Sequence, residues 1–553
     1  MQTPSTSTLD SLEEAPPQCE QATSPNSSTS TFHRHSKPRT PRIRIRSSQL
    51  PLYTVDLSLP PAKRYTQICH DFRDALSEFK HLYHAVLELA TSDRQLPFPF
   101  SAMKRGAVRV LAKMVLRRVY SKEESEEIKG IQKATGMKLE EVVGLNTFLD
   151  LFCGCVSGGV KAQRTPTEDG EDTDDTPTML HFRGLDWEMD SLRDLLIQVQ
   201  YVRDGQVVAR AVTYAGYVGT LTGVREGLSM SMNYRLRFLT SPSAAPNSPD
   251  DGSSSKPLKR PKSSLFRYRL HQLCLLFGLR PSIASQLRSL LLSPGPAPTL
   301  DEVQDWCKSE GGSPSYLTFC SKDEVLIIEN DLVKRHSRSS KGDTSTPATP
   351  APSSSPTTPA TYRSDTFLTV TNHDRALESL VNSPHSPSWI DILRQNGFED
   401  DGDGEDKISV ARKIMESSMQ RKACVEKLYQ ECVEKPQNLE KNVSSEGANP
   451  NLEESESDPA AGPSQSSSPS LGNSSTPSPT TPPNAAQPEV QPSSNPNPPP
   501  SKTKTTHNVE VEDIKTWLRT YPLRNETTHF SCIMDPSARD GGAIVWVEAC
   551  EEV

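Results

Sequence analysis

The chain has 553 residues, of which 34% are hydrophobic, and it carries 47 prolines and a formal net charge of −9. Globular domains are about 45–50% apolar, so much of this chain cannot be core. The acidic balance argues against nucleic acid as a partner. We interpret the basic stretch from His33 to Arg46 as a solvated tail, with contact to RNA, an anionic membrane or an import receptor as the alternative.

Signals for cross-linking and targeting are sparse. The 11 cysteines are irregularly spaced and form no CxxC pair, which favours neither a structural zinc module nor a dense disulfide framework. No apolar run reaches the roughly 18 residues of a membrane span, and the N-terminal segment lacks the apolar stretch of a secretory signal. The expected location is therefore the cytoplasm.

In chain order, residues 1–48 are rich in Ser, Thr and Pro, which predicts a disordered leader. Apolar and polar residues alternate from Pro51 to Leu59, the period of a half-buried strand. From Ala62 to Leu89 the apolar residues recur at three- and four-residue steps, which predicts a helix with one buried face. Further helices are expected at about 103–119, 122–135 and 139–152.

Beyond these helices, short runs typical of strands predict an antiparallel sheet built from hairpins. The runs are Met179–Phe182, Leu195–Arg203, Gln206–Tyr214, Ser229–Arg237, Ser315–Phe319, Glu324–Glu329 and Thr366–Val370, with a closing pair at Phe530–Met534 and Gly542–Val547. Helical periodicity returns at 265–292 and 407–434. Polar stretches predict disordered inserts near 161–177, 241–264, 336–361 and 436–506. Helices packed on antiparallel sheet place the fold in the α+β class.

A candidate nucleophile, Cys155, follows the last of the early helices. A thiol reacts as the thiolate and its free pKa is about 8.5, so it needs a base or a positive neighbour. A chain-terminal α-amino group, with a pKa of about 7.7–8, would be that base if the chain were cut between Gly154 and Cys155. Gly154 suits such a cut, since a residue without Cβ tolerates strained dihedral angles. For this segment alone, a buried cysteine without chemistry is the simpler alternative.

Charged and amide side chains follow on the next predicted strands. A hairpin between Val156–Val160 and the strand that carries Arg183 and Asp186 would return both side chains to Cys155. Arg183 would then favour the thiolate or bind the polar end of a substrate, and Asp186 would hold the new amine. Asn233, after a glycine-rich segment, would direct its amide N–H at an oxyanion. A surface ion pair and ordinary strand-end residues are the alternatives.

These motifs, in this order, resemble the family of acid ceramidase and N-acylethanolamine acid amidase. The resemblance begins at Tyr53–Tyr65, continues through Gly130–Gly136 and reaches Leu145–Ser157, where the family has an Asn-x-Phe-x-x-Leu-Phe helix end before its nucleophile. That register selects Cys155 over Cys153.

The later part of the resemblance carries the other candidate residues. Arg183-Gly184-Leu185-Asp186 is similar to the family's Gly-Arg-Asn-x-Asp strand, and Tyr214–Asn233 to its glycine-rich segment and following strand. Thr371-Asn372-His373-Asp374 is similar to its Thr-Asn-x-Asp motif. The resemblance thus implies a catalytic set of Cys155, Arg183, Asp186, Asn233 and Asn372.

The resemblance also implies the organisation of the molecule. An αββα Ntn-hydrolase fold would cut itself between Gly154 and Cys155 into a heterodimer of an α chain, 1–154, and a β chain, 155–553. The helical part would span 49–154, the hydrolase part 155–435 and its C-terminal sheet 507–553. Cys155 would attack a lipid amide, with peripheral membrane contact and without a metal or organic cofactor. A lysosomal or vacuolar location would follow only if the N-terminus were misassigned.

One departure from the family pattern is Phe319-Cys320-Ser321-Lys322-Asp323, where the family has Gly-Gly-Asn before a turn. An oxyanion donor is worth about 3–4 kcal/mol, a large loss unless a group such as Asn372 replaces it. Three functions stay open: hydrolysis of lipid amides such as ceramide or N-acylethanolamines, acyl transfer to an amine, and a scaffold that kept the fold without activity.

Overall fold

A computed structural model of the chain describes residues 49–92, 105–148, 154–164, 176–235, 262–332, 359–381, 407–434 and 508–550. The predicted leader at 1–48 and the predicted insert at 436–506 lie outside these residues. So do large parts of the predicted inserts near 161–177, 241–264 and 336–361.

The described residues form fourteen strands, and each strand predicted from the sequence is present within a few residues. The short strands β6, β10 and β12 had not been predicted, because runs of two to five residues show too little alternation. The strands are β1 Leu52–Asp56, β2 Gly154–Gln163, β3 Thr178–Asp186, β4 Leu196–Arg203, β5 Gln206–Tyr214, β6 Thr222–Arg225, β7 Leu228–Tyr234, β8 Ser315–Cys320, β9 Val325–Asn330, β10 Ala360–Ser364, β11 Phe367–Val370, β12 Val509–Glu510, β13 Thr528–Asp535 and β14 Ala543–Ala549.

Eleven α-helices are found in the same residues: α1 Thr66–Asp71, α2 Arg73–Ser92, α3 Arg105–Val115, α4 Lys122–Thr135, α5 Leu139–Phe148, α6 Lys262–Leu276, α7 Ile283–Leu291, α8 Leu300–Glu310, α9 Arg375–Val381, α10 Lys407–Val433 and α11 Val511–Arg519. Short 3₁₀ helices cover Pro61–Lys63 and Asp190–Leu195. None of the described helices is both long and apolar enough to cross a bilayer.

Two helix predictions were wrong in extent. The helix expected from Ala62 to Leu89 is interrupted at Phe72, whose φ of −100° and ψ of 15° separate α1 from α2. The helix expected at 265–292 is two helices, because Gly278 adopts a positive φ of 62° and Pro281 follows it. Three- and four-residue periodicity continues across such breaks, so it does not reveal them.

The strands pair into two sheets. An 8-stranded sheet has the order β1-β4-β5-β6-β7-β8-β9-β10, in which β1 pairs parallel to β4 and the other neighbours are antiparallel. A 6-stranded sheet has the order β11-β2-β3-β13-β14, with β12 parallel to β2. Strand β2, which carries the candidate nucleophile Cys155, therefore lies inside its sheet, between β11 and β3.

The two sheets stack face to face between layers of helices. Side chains of β3 in one sheet bond to side chains of β7 in the other, as in the contacts of His181 with Ser229 and Ser231. Helices α10 and α11 cover the far face of β2 and β3, while α7 packs on β6 and β7 of the larger sheet. This helix–sheet–sheet–helix order confirms the predicted α+β class and its αββα arrangement.

Candidate active site

The pairing of β2 with β3 determines which side chains meet at the start of β2. Gly154 lies opposite Asp186, Cys155 opposite Leu185, and Ser157 opposite Arg183. Since side chains alternate along a strand and paired residues point to the same face, Cys155 and Arg183 face the second sheet. Gly154 and Asp186 face the helix layer that contains α10. The predicted hairpin is confirmed, and it places the two predicted ionic residues on opposite faces of one strand pair.

The thiol of Cys155 lies against a guanidinium. One terminal nitrogen of Arg183 donates to Cys155 Sγ at 3.3 Å, and both residues are fully buried. The other terminal nitrogen donates to Asn233 Oδ1 at 2.7 Å. A positive charge within hydrogen-bond distance of sulfur favours the thiolate, because it offsets the new negative charge where water cannot. Arg183 is thus the positive neighbour that a candidate thiol nucleophile needs.

Asn233, at the end of β7, orients the guanidinium. Its Oδ1 accepts from Arg183 and, at 2.8 Å, from Ser157 Oγ. Its Nδ2 donates to the backbone oxygens of Val370 and Thr371 at 3.2 and 3.1 Å. The amide nitrogen that was expected to face an oxyanion thus faces two carbonyl groups in the intact chain, and Asn233 contacts the site through its oxygen.

Asn372 contacts the nitrogen that cleavage before Cys155 would turn into an amine. Its Oδ1 accepts from Cys155 N at 2.8 Å, and its Nδ2 donates to the oxygen of Tyr234 at 2.8 Å. The side chain therefore ties the start of β2 to the end of β7.

Asp186 lies beside the bond that would be cut. A Cβ placed on Gly154 would be 3.7 Å from Asp186 Oδ2. Thr528 Oγ1 donates to the other carboxylate oxygen at 2.7 Å. Burial raises the pKa of Asp186, although the charge of Arg421 and the Thr528 hydroxyl act in the opposite direction. All five residues predicted from the sequence are thus brought together at one end of β2 and β3.

Arg421 of α10 is a site residue that the sequence did not single out. It donates to Asp186 Oδ2 at 2.7 Å and to Asn372 Oδ1 at 2.9 Å, and its side chain is 3% exposed. It therefore bridges the carboxylate beside Gly154 and the amide oxygen beside Cys155. The one signal was that the buried face of the helix at 407–434 includes polar residues among its apolar ones, and such residues need buried partners.

The supposed departure at Phe319–Asp323 lies elsewhere. This segment spans the end of β8 and the turn to β9, and Cys320 pairs with Ser229 at the far end of β7 from Asn233. The oxygen of Lys322 accepts from Met179, near the start of β3. Cys320 lies against Gly159, four residues along β2 from Cys155, so at about 3.3 Å per residue the segment is roughly 13 Å or more from Cys155. The missing Asn in this segment is therefore not a missing group of the site, and that interpretation of the sequence was wrong.

Comparisons with known proteins agree with the resemblance. A family model described as the beta subunit of N-acylethanolamine-hydrolyzing acid amidase matches residues 48–94. The N-acylethanolamine-hydrolyzing acid amidase of Caenorhabditis elegans is 28% identical over 194 residues, which cover 33% of this chain and 47% of the relative. Acid ceramidase of Rattus norvegicus is 27% identical over 210 residues, covering 34% and 46%.

A solved structure was also found. It is the C. elegans N-acylethanolamine-hydrolyzing acid amidase ortholog, with 16% identity and a TM-score of 0.33, covering 70% of this chain and 94% of that one. The chain spans about half the length of the curated relatives it matches. In its motifs and in the matched relatives, the chain is similar to the family of acid ceramidase and N-acylethanolamine acid amidase.

Proposed function

We propose that the chain is a self-processing cysteine amidase that hydrolyses fatty-acyl amides, ceramide or N-acylethanolamines, through Cys155. The observation that carries the proposal is the contact of the Arg183 guanidinium with Cys155 Sγ at 3.3 Å, with Asn372 Oδ1 2.8 Å from the nitrogen of the same residue. The sulfur of Cys155 thus contacts Arg183, and the nitrogen of Cys155 contacts Asn372. The matched relatives are named as amidases and ceramidases, which supports amide hydrolysis as the reaction class.

In the first reaction the chain cuts itself. Cys155 Sγ bonds to the carbonyl carbon of Gly154, the bond from that carbon to Cys155 N breaks, and the thiol proton passes to the departing nitrogen. Water then hydrolyses the thioester, leaving a carboxylate on Gly154 and restoring the thiol. The new α-amine remains beside Asn372 Oδ1, which Arg421 also contacts. Residues 1–154 and 155–553 would then form the two chains of the enzyme.

In the second reaction the processed enzyme acts on a lipid amide. The α-amine accepts the thiol proton, the thiolate adds to the amide carbonyl carbon, and collapse of the adduct transfers that proton to the departing amine. Water then releases the fatty acid and restores the thiol. Cys155 is fully buried in the intact chain, so we expect hydrolysis to follow cleavage and not to precede it.

Peripheral membrane contact is a further part of the proposal, supported by exposed apolar and basic side chains on α3 and on α6. Val110 and Met114 on α3 are 59% and 58% exposed, and Phe266 on α6 is 68% exposed. Arg109 and Lys113 on α3 and Arg267 on α6 are exposed beside them. Apolar side chains with flanking cations are suited to an anionic lipid surface, where a lipid amide would be found.

A gel and a product assay test the proposal. Purified full-length chain is incubated from acid to neutral pH, with Cys155→Ala and a control at another buried thiol, Cys307→Ala. We expect two fragments from wild type and the control, an N-terminal Cys on the second fragment, and one intact chain from Cys155→Ala. Hydrolysis should fall at least about 1,000-fold in Cys155→Ala.

The substrates decide among the three functions. Free fatty acid from ceramide or N-acylethanolamine supports the amidase, whereas transfer of the acyl group to an added amine in preference to water would support an acyltransferase. Intact wild-type chain at every pH, without product, would contradict the proposal and favour the scaffold.

A further inference from the structure

One side chain of α10 is bonded to three successive residues of the segment that carries Asn372. Ser418 Oγ accepts from Asn372 N at 2.7 Å and lies 2.9 Å from Thr371 Oγ1 and 2.7 Å from His373 Nδ1. Thr371 Oγ1 also donates to the backbone oxygen of Ser418 at 2.9 Å. Ser418 is fully buried. A single hydroxyl therefore joins α10 to the loop after β11.

The next turn of the same helix reaches the other side of this loop. Arg421 is three residues beyond Ser418, on the same face of α10, and it donates to the side-chain oxygen of Asn372 at 2.9 Å. Ser418 thus contacts the backbone nitrogen of Asn372, while Arg421 contacts the side-chain oxygen of Asn372. Between them, one turn of helix determines where Asn372 Oδ1 lies relative to Cys155 N.

We propose that Ser418 is a positioning residue for the reaction of Cys155. It acts through Asn372 and does not touch the reacting atoms, and the inference rests on the proposed function. Without its hydroxyl, the acceptor of the Asn372 N–H is gone and the bond to His373 is lost. A displaced Asn372 oxygen no longer aligns the nitrogen of Cys155, although Arg183 still contacts the sulfur.

The test compares Ser418→Ala with Ser417→Ala in the full-length chain. Ser417 is the preceding residue of α10 and is exposed, so its hydroxyl removal leaves the loop contacts in place. We expect self-cleavage and kcat of Ser418→Ala to fall about 10- to 100-fold, with KM within about twofold. Hydrogen exchange of the amides at 154–157 should become faster, while exchange in α7 stays unchanged. Ser417→Ala should match wild type in each measurement.

Several outcomes overturn the inference. They are equal rates for the two variants, a change confined to KM, or a loss that follows a lower melting temperature with faster exchange throughout the chain. The proposed function fails separately, through an inactive or uncleaved wild type. In that event the exchange of residues 154–157 still decides whether Ser418 holds the start of β2.

Discussion

Two buried arginine sites differ in what each arginine contacts. In the Glu127 cluster, formed by Arg64, Glu127 and Arg288, the carboxylate accepts from Arg288 at 2.8 Å and from Arg64 at 2.9 Å. In the Cys155 site, Arg183 contacts a thiol and an amide oxygen. Arg64 also pairs with Glu123, so carboxylates offset both guanidinium charges of the first cluster, whereas Arg183 donates to a thiol and to an amide oxygen, which carry no full negative charge. The same side chain therefore balances carboxylates in one place and contacts the candidate nucleophile in the other.

Position along the chain adds to this contrast. Arg64 and Glu127 precede Cys155, and Arg288 follows it, so the Glu127 cluster joins the two pieces that cleavage would create. The parallel pairing of β1 with β4 joins the same pieces. We expect these contacts to hold the pieces together after cleavage.

The largest expected effect is that of Glu127→Gln. This substitution removes the carboxylate that pairs with Arg288, whose side chain is only 5% exposed. The unpaired buried charge should lower the free energy of unfolding by about 3–5 kcal/mol. Chemical denaturation measures the loss, and gel filtration of cleaved protein should show fragment separation. Glu126→Gln, at a 42% exposed neighbour, is the control. Equal stability of the two variants would contradict a structural role for the cluster.

Arg183→Gln should affect activity more than stability. Loss of the charge beside Cys155 Sγ should slow hydrolysis by about 10²–10³-fold, as for other groups that stabilise a developing charge. Arg183→Lys keeps the charge but lacks the planar group that reaches both Cys155 Sγ and Asn233. Its rate of hydrolysis should therefore lie between the rates of wild type and of Arg183→Gln. Rates of hydrolysis and of Cys155 alkylation measure the effect. If Arg183→Gln hydrolysed substrate at the wild-type rate, the proposed difference in role between Arg183 and the arginines of the Glu127 cluster would be contradicted.

The smallest effect is expected at a third cluster, in which Arg235 pairs with Asp374 at 2.6 Å and with Glu329 at 3.6 Å. Burial and the charge of Asp374 raise the pKa of Glu329, while Arg235 opposes them. The folded chain therefore holds this proton more tightly than the unfolded chain, and ionisation of Glu329 costs stability as the pH rises through its folded pKa. Glu329→Gln should thus raise the free energy of unfolding at neutral pH by a small amount.

The pH dependence of that difference is its check. It should vanish below the unfolded pKa of Glu, about 4.3, where the wild-type side chain is protonated in both states. Denaturation of the variant and of Glu324→Gln, at a 45% exposed position, measures it from acid to neutral pH. A constant difference across that range would mean that Glu329 does not titrate between the two states.

The amino-acid sequence by itself determined the α+β class and, within a few residues, most of the strands, and it predicted five residues of the candidate site. Those residues could be predicted because Arg183 and Asp186 belong to the strand that pairs with β2, and because Asn233 and Asn372 lie in short motifs at strand ends. Their catalytic roles and the cut between Gly154 and Cys155 stay predictions.

Tertiary structure alone decided the part played by α10. A helical period shows which face of a helix is buried but not which loop that face meets, so Ser418 and Arg421 could not be assigned to Asn372. The strand register likewise showed that Phe319–Asp323 lies away from the site, because only the pairing of strands shows at which end of a sheet a turn lies. Local pattern proposes the candidate nucleophile, whereas only contacts between distant segments show which side chains surround it.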